Sequence, residues 1–129
     1  MEGYRFTIQG RLDGLNEYTR ANRANAYKGN SLKKKNERIV CIGIVGACMQ
    51  GKLHKVDKYP IELKITWYEP NSRRDIDNIT FATKFIQDAL VKKEILQNDG
   101  QKYISKISHE VTVDKNNPRV EVEIWIQDT

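Results

Sequence analysis

Residues 72–79 read SRRDIDNI: two arginines, two aspartates separated by one isoleucine, and an asparagine. In an extended segment, side chains two residues apart point to the same side, so Asp75 and Asp77 face one way. Two carboxylates about 5 Å apart repel by about 3 kcal/mol at an effective dielectric of about 20. One acid ahead of a helix serves as a cap and offsets the helix dipole. The second needs a counter-charge, for which Arg73 and Arg74 are one source and a divalent cation is another. A few hard oxygen ligands, with room for water and a phosphate, suit Mg²⁺. Further on, the turn signal LQNDGQ at 96–101 offers a third carboxylate, Asp99. It joins the other two only if the strand that follows pairs beside the strand ending at Glu69.

A helix is expected from the acidic pair to about Lys93. At about 100° per residue, Ile79, Ala82, Ile86, Ala89 and Leu90 form one apolar stripe, and Asp77, Lys84 and Asp88 lie together on the opposite face. Lys84 and Asp88 are an i, i+4 pair of the kind that adds about 0.2–0.5 kcal/mol, which makes Asp88 the structural partner of Lys84. Phe81 and Phe85 fall off the stripe and either pack against another helix or serve a subunit interface.

The elements that position these residues follow from apolar spacing. YRFTIQG alternates as a strand. Residues 11–31 are polar and Asn-rich and read as a long loop, the kind that is functional or mobile. A helix is expected over 31–50, although Gly43, Gly46 and the β-branched residues there would also suit a buried strand. PIELKITWY is a strand closed by Pro70. KYISKISHEVTVD and VEVEIWI alternate on either side of the turn NNPR, which predicts a hairpin. The expected order is β-α-β-α-β-β, an α+β fold with helices packed on a small mixed sheet.

The chain has 129 residues, 39% of them hydrophobic and 30% charged, which suits one folded domain, 1–129, with its own core. No apolar run reaches the roughly 18 residues that a membrane helix needs. The first residues lack the layout of a secretory signal, so the cytoplasm is the expected compartment. Cys41 and Cys48, if helical, stand about 10 Å apart along the axis, too far for a disulfide. No Cys/His set suggests zinc, and His54 and His109 stand isolated without an assigned role. The formal net charge is +5, and its distribution is uneven. Arg20, Arg23, Lys28, Lys33, Lys34, Lys35 and Arg38 crowd one polar segment, and Arg73 and Arg74 flank the acids. Such clusters attract polyanions and hold phosphates, whereas Lys92 and Lys93 alone read as a solvated face.

With these residues placed, DIDNITFATKFIQDALVKKEILQNDGQ (75–101) resembles the core of the RusA family of Holliday junction resolvases, small dimeric Mg²⁺-dependent endonucleases common in prophages. The family pattern is Asp-x-Asp-Asn, a Lys four residues before Asp-Ala/Gly-Leu, and an acidic pair in the next turn. Here Asp75, Asp77 and Asn78 match, then Lys84 before Asp88, then Asp99. The resemblance implies that Asp75, Asp77 and Asp99 bind Mg²⁺ (or Mn²⁺), that Lys84 is a catalytic lysine, and that a homodimer cuts branched DNA at four-way junctions. Arg20, Arg23, Lys28, Lys33, Lys34, Lys35, Arg73 and Arg74 would then hold the DNA backbone. The match is good over 73–101. It weakens near the N-terminus, where LNEYTRANR resembles the family's Asn-x-x-Tyr loop without its usual prolines. Asn98 stands where an acid often precedes the last catalytic Asp, and the interval from Asn78 to Lys84 exceeds that of the shortest members. Other branched DNA or RNA as substrate, or a non-catalytic nucleic-acid-binding remnant, are the alternative readings.

Overall fold

A computed structural model describes residues 3–127. Its elements are β1 (Gly3–Gln9), α1 (Leu15–Ala24), α2 (Ala26–Met49), β2 (Ile61–Glu69), α3 (Ile76–Thr80), α4 (Thr83–Lys92), β3 (Ile104–Val113) and β4 (Arg119–Ile126). The four strands form one sheet in the order β1-β4-β2-β3. β4 runs antiparallel to both β1 and β2, and β2 runs parallel to β3. The α+β class and the mixed sheet are as expected.

Alternation builds the core. Phe6 and Ile8, Ile61, Leu63, Ile65 and Trp67, and Val120, Val122, Ile124 and Ile126 are all buried. On these strands the burial repeats at every second residue, so one face of the sheet receives the helices. The apolar stripe of the third and fourth helices is buried as the spacing required: Ile79, Ala82, Ile86, Ala89 and Leu90 join the same cluster.

Two local expectations are corrected, and the start of one helix moves. The segment 11–31 is not a loop: α1 fills its middle, and α2 begins at Ala26, where Asn25 Oδ1 accepts from Lys28 N at 2.8 Å. α2 is the helix expected over 31–50, begun earlier and formed despite Gly29, Gly43 and Gly46, and Gly43 has a positive use. A Cβ there would sit 2.6 Å from Thr7 O, so glycine lets the helix lie on the β1 backbone. The last two strands do not form a hairpin, because β2 sits between them and both β3 and β4 satisfy their hydrogen bonds on it.

The helix after the acids is also broken. Between Ile79 and Phe85 the backbone closes i→i+3 bonds (Ala82 N to Ile79 O, Lys84 N to Phe81 O, Phe85 N to Ala82 O), and Thr83 Oγ1 donates to Thr80 O at 2.6 Å. Each such residue turns about 20° further than in an α-helix. That extra rotation brings Phe85 into the core, at 1% exposure, where a straight helix would leave it off the stripe. Phe81 is half-buried, its ring 5.3 Å from that of Tyr18 and 5.8 Å from that of Phe85. Both phenylalanines are packing residues.

Beyond Lys92 the chain turns through Glu94 at φ 60, which lets Ile95 and Leu96 return their N–H groups to Leu90 O and bury their side chains. Cys41 and Cys48 are free thiols, as their spacing implied.

Candidate active site

The position of the acidic pair is set by three segments that meet at the C-terminal end of β2. Glu69 continues the buried phase of that strand and is 4% exposed. A buried carboxylate needs charged partners, and it has two. Arg74 binds it through Nε and Nη2 at 2.9 Å each, and Arg11 Nη2 binds it at 3.0 Å. Arg74 also donates to Leu12 O at 3.2 Å and lies 3.5 Å from Glu17.

The residue before Asp75 is thereby fixed to the sheet and to the 11–14 segment. That segment is held from its other side by Asn36, which is fully buried. Asn36 accepts from Asp13 N at 2.9 Å and donates to Asp13 Oδ2 and Leu32 O at 2.8 Å. Every polar atom of the amide is used.

Asn78 completes the junction. Its Oδ1 accepts from Asn16 N at 2.9 Å, capping the first turn of α1 from a site 62 residues away in sequence. The α1 N-cap is Gly14, which has no side chain to do this. A Cβ on Gly14 would lie 2.5 Å from Asn78 O and 2.6 Å from Asn78 Oδ1, so the close approach depends on glycine.

Asp75 is the N-cap of α3, but its side chain makes no cap hydrogen bond, and Asp77 lies in the first turn. Both are exposed. Their carboxylates have no protein donor among the described residues, although three supports converge on the backbone around them. Arg73 and Arg74 do not neutralise them: Arg74 is committed to Glu69, and the exposed Arg73 makes no ion pair among the described residues.

Lys84 sits further along, on α4. Its Nζ is 3.2 Å from Asp88 Oδ1 and 3.8 Å from Asp99 Oδ2. The hydrogen bond and charge of Asp88, with Asp99 adding to them, raise its pKa above the ordinary lysine value. These contacts favour the cation, so Lys84 is placed to supply positive charge rather than to act as a base. The pairing of Asp88 with Lys84 is as the spacing suggested. Asp77 drops out of that line because of the break between α3 and α4.

Asp99 behaves differently from expectation. β3 does pair beside β2, but in parallel, so residues just before β3 lie near the start of β2, and Asp75 and Asp77 follow its end. Asp99 stands with Lys84, and among the described residues no group of three or more His, Cys, Asp or Glu side chains could hold a metal ion. Within one protomer the three predicted ligands do not assemble. The extended segment expected across the acids is not found, because the chain turns helical at Ile76. Asp75 and Asp77 nevertheless each offer an exposed carboxylate, unpaired among the described residues, and Mg²⁺ commonly takes one or two carboxylates together with phosphate oxygens and water.

Of the predicted DNA-holding cations, Arg20, Arg23, Lys28, Lys34 and Arg73 are exposed without an ion pair among the described residues. Lys33 lies 5.6 Å from the Tyr18 ring centroid, and Lys35 pairs with Asp13 at 3.2 Å. Arg74 is a correction: its side chain is only 12% exposed, and its donors are consumed by Glu69, Glu17 and Leu12 O. Sequence reasoning missed Glu69, Arg11, Asn36 and Gly14. Glu69 had a signal, being an acid in the buried phase of Ile61, Leu63, Ile65 and Trp67.

A family model described as Endodeoxyribonuclease RusA matches residues 15–125. No curated protein matches the chain.

Proposed function

The chain belongs to the RusA endodeoxyribonuclease family, and from that premise we propose that it is a Mg²⁺-dependent endonuclease that hydrolyses phosphodiester bonds in four-way DNA junctions. The observation that carries this reading is the acidic pair itself. Asp75 and Asp77 are held by a buried ion-pair and amide network, yet neither carboxylate is spent on that network. Two exposed carboxylates at the N-terminus of α3, without a protein donor among the described residues, are available to an external cation.

A divalent ion bound there supplies Lewis-acid catalysis and water activation. The protein's own part is threefold. Asp75 and Asp77 bind the ion. Lys84, kept protonated by Asp88 and Asp99, lends fixed positive charge where negative charge develops on the phosphate. Arg20, Arg23, Lys28, Lys33, Lys34, Lys35 and Arg73 hold the DNA backbone.

Resolution of a junction takes two matched cuts, so this reading requires a homodimer, and two-fold assemblies are the commonest closed form. A dimer also gives Asp99 its place. A site that includes all three acids takes Asp75 and Asp77 from one copy and the Lys84–Asp99 pair from the other.

The test is cleavage of labelled four-way junction, flap and linear duplex with Mg²⁺ or EDTA. Asp75→Asn and Asp77→Asn are expected to lose cutting by at least about 100-fold, roughly the 2.7 kcal/mol that such a rate loss represents, while still binding junction. Equal cutting by both variants and wild type sinks the reading. Mixing Asp75→Asn with Asp99→Asn protomers is expected to restore single-strand nicking, since one site in each mixed dimer is intact. No recovery removes the shared site.

A further inference from the structure

We propose that Lys34, Arg38, Lys92 and Lys93 form a single phosphate-binding cleft that holds the DNA backbone at a distance from the acids. This deepens the nuclease reading and rests on it for the identity of the polyanion. The cleft has a volume of about 300 Å³ and lies where the middle of α2 meets the end of α4; Glu37 and Cys41 complete its lining. The sequence gives no hint of the grouping, because the two pairs are more than fifty positions apart. The fold brings them together.

Three observations point to an anionic ligand rather than a solvated surface. First, all four cations are exposed, and among the described residues none has an ion-pair partner, although ten ion pairs form elsewhere among them. Second, four cations face one carboxylate around a concave site, where like charges repel and a bound anion relieves them all. A structural role at the C-terminus of α4 would need one cation to offset the dipole, which accounts for Lys92 or Lys93 but not for the α2 pair.

Third, the cleft lies along α4 from Lys84. Lys84, Asp88 and Lys92 form one i+4 row on that helix, and the eight residues from Lys84 to Lys92 span about 12 Å. One DNA strand covers that distance in about three to four phosphates at 3.4 Å each. A strand whose scissile phosphate sits near Lys84 thus reaches the cleft without a bend.

The experiment measures equilibrium binding of a fluorescent four-way junction in EDTA over a range of salt concentrations, for wild type and two double variants. These are Lys92→Gln with Lys93→Gln, and Lys34→Gln with Arg38→Gln. Each phosphate contact contributes about 0.9 to the slope of log K against log salt. Both doubles are expected to lower the slope by about one to two and to weaken binding at fixed salt, with melting temperatures unchanged because all four side chains are exposed. Arginine at 92 and 93 is expected to keep the wild-type slope. A wild-type slope in both doubles overturns the cleft, and a change in only one overturns its being a single site. Failure of the nuclease reading shows separately, as a wild-type protein that never cuts in Mg²⁺.

Discussion

Glu69 shows how much one buried carboxylate organises. It meets two guanidinium groups, and removing it leaves the largely buried Arg74 with only Glu17, at 3.5 Å, as a counter-charge. Breaking a buried pair in this way typically costs about 3–5 kcal/mol. Glu69→Ala is expected to lower the urea unfolding midpoint accordingly, and Arg74→Ala to do much the same. A small effect would mean that Arg74 is free to face DNA. His109 carries a pH signature at the same scale. Its Nδ1 accepts from Trp67 Nε1 at 3.1 Å, a bond that needs the neutral ring, and partial desolvation of this otherwise exposed residue lowers its pKa below the ordinary 6.5. The unfolded chain takes up its proton at a higher pH than the folded one. The neutral ring's contribution is therefore complete above about pH 6.5 and lost as pH falls toward the lower folded value. His109→Gln is expected to flatten the acid-side decline in the urea midpoint, measured between pH 8 and pH 5.

Elements were legible where their signal was local. Alternation placed all four strands, and the stripe from Ile79 to Leu90 gave the buried side of the helices. α1 escaped because it buries none of its residues and its cap is Asn78, remote in sequence; no local window contains the group that starts it. The opposing charges of Glu17 and Arg23 at its two ends were the only local trace. The hairpin expectation failed for a related reason, since a turn between two strands does not reveal that a third will be inserted between them. Of the site, the acids and the Lys84–Asp88 pair were visible in spacing, whereas the separation of Asp99 came from parallel pairing, which spacing cannot express. Two substitutions test the junctions between elements. Gly14→Ala pushes a methyl group into backbone and is expected to cost about 1–3 kcal/mol, read in thermal melts. Glu94→Gly at the left-handed stop after α4 is expected to be neutral or to stabilise by up to about 1 kcal/mol, because a non-glycine residue in that region costs about 1–2 kcal/mol.

Taken whole, the molecule is a sheet with helices on one face, and no described helix is long and apolar enough to cross a membrane. Its net charge of +5 is concentrated on α1, α2 and the end of α4. Junction affinity should accordingly fall steeply between low and physiological salt, and the measured slope counts the phosphates engaged. The stretch from Arg11 to Asn16 also has a mechanical meaning. It is riveted to α2 by Asn36, to the sheet by Glu69 and to α3 by Asn78, so the basic arm made of α1 and the first half of α2 cannot pivot independently of the carboxylates. A strand seated on that arm is registered against the acids as if on a fixed jig. Incisions are then expected at one constant offset from the branch point, whatever the sequence, and loosening a rivet with Asn36→Ala should scatter them over neighbouring phosphates.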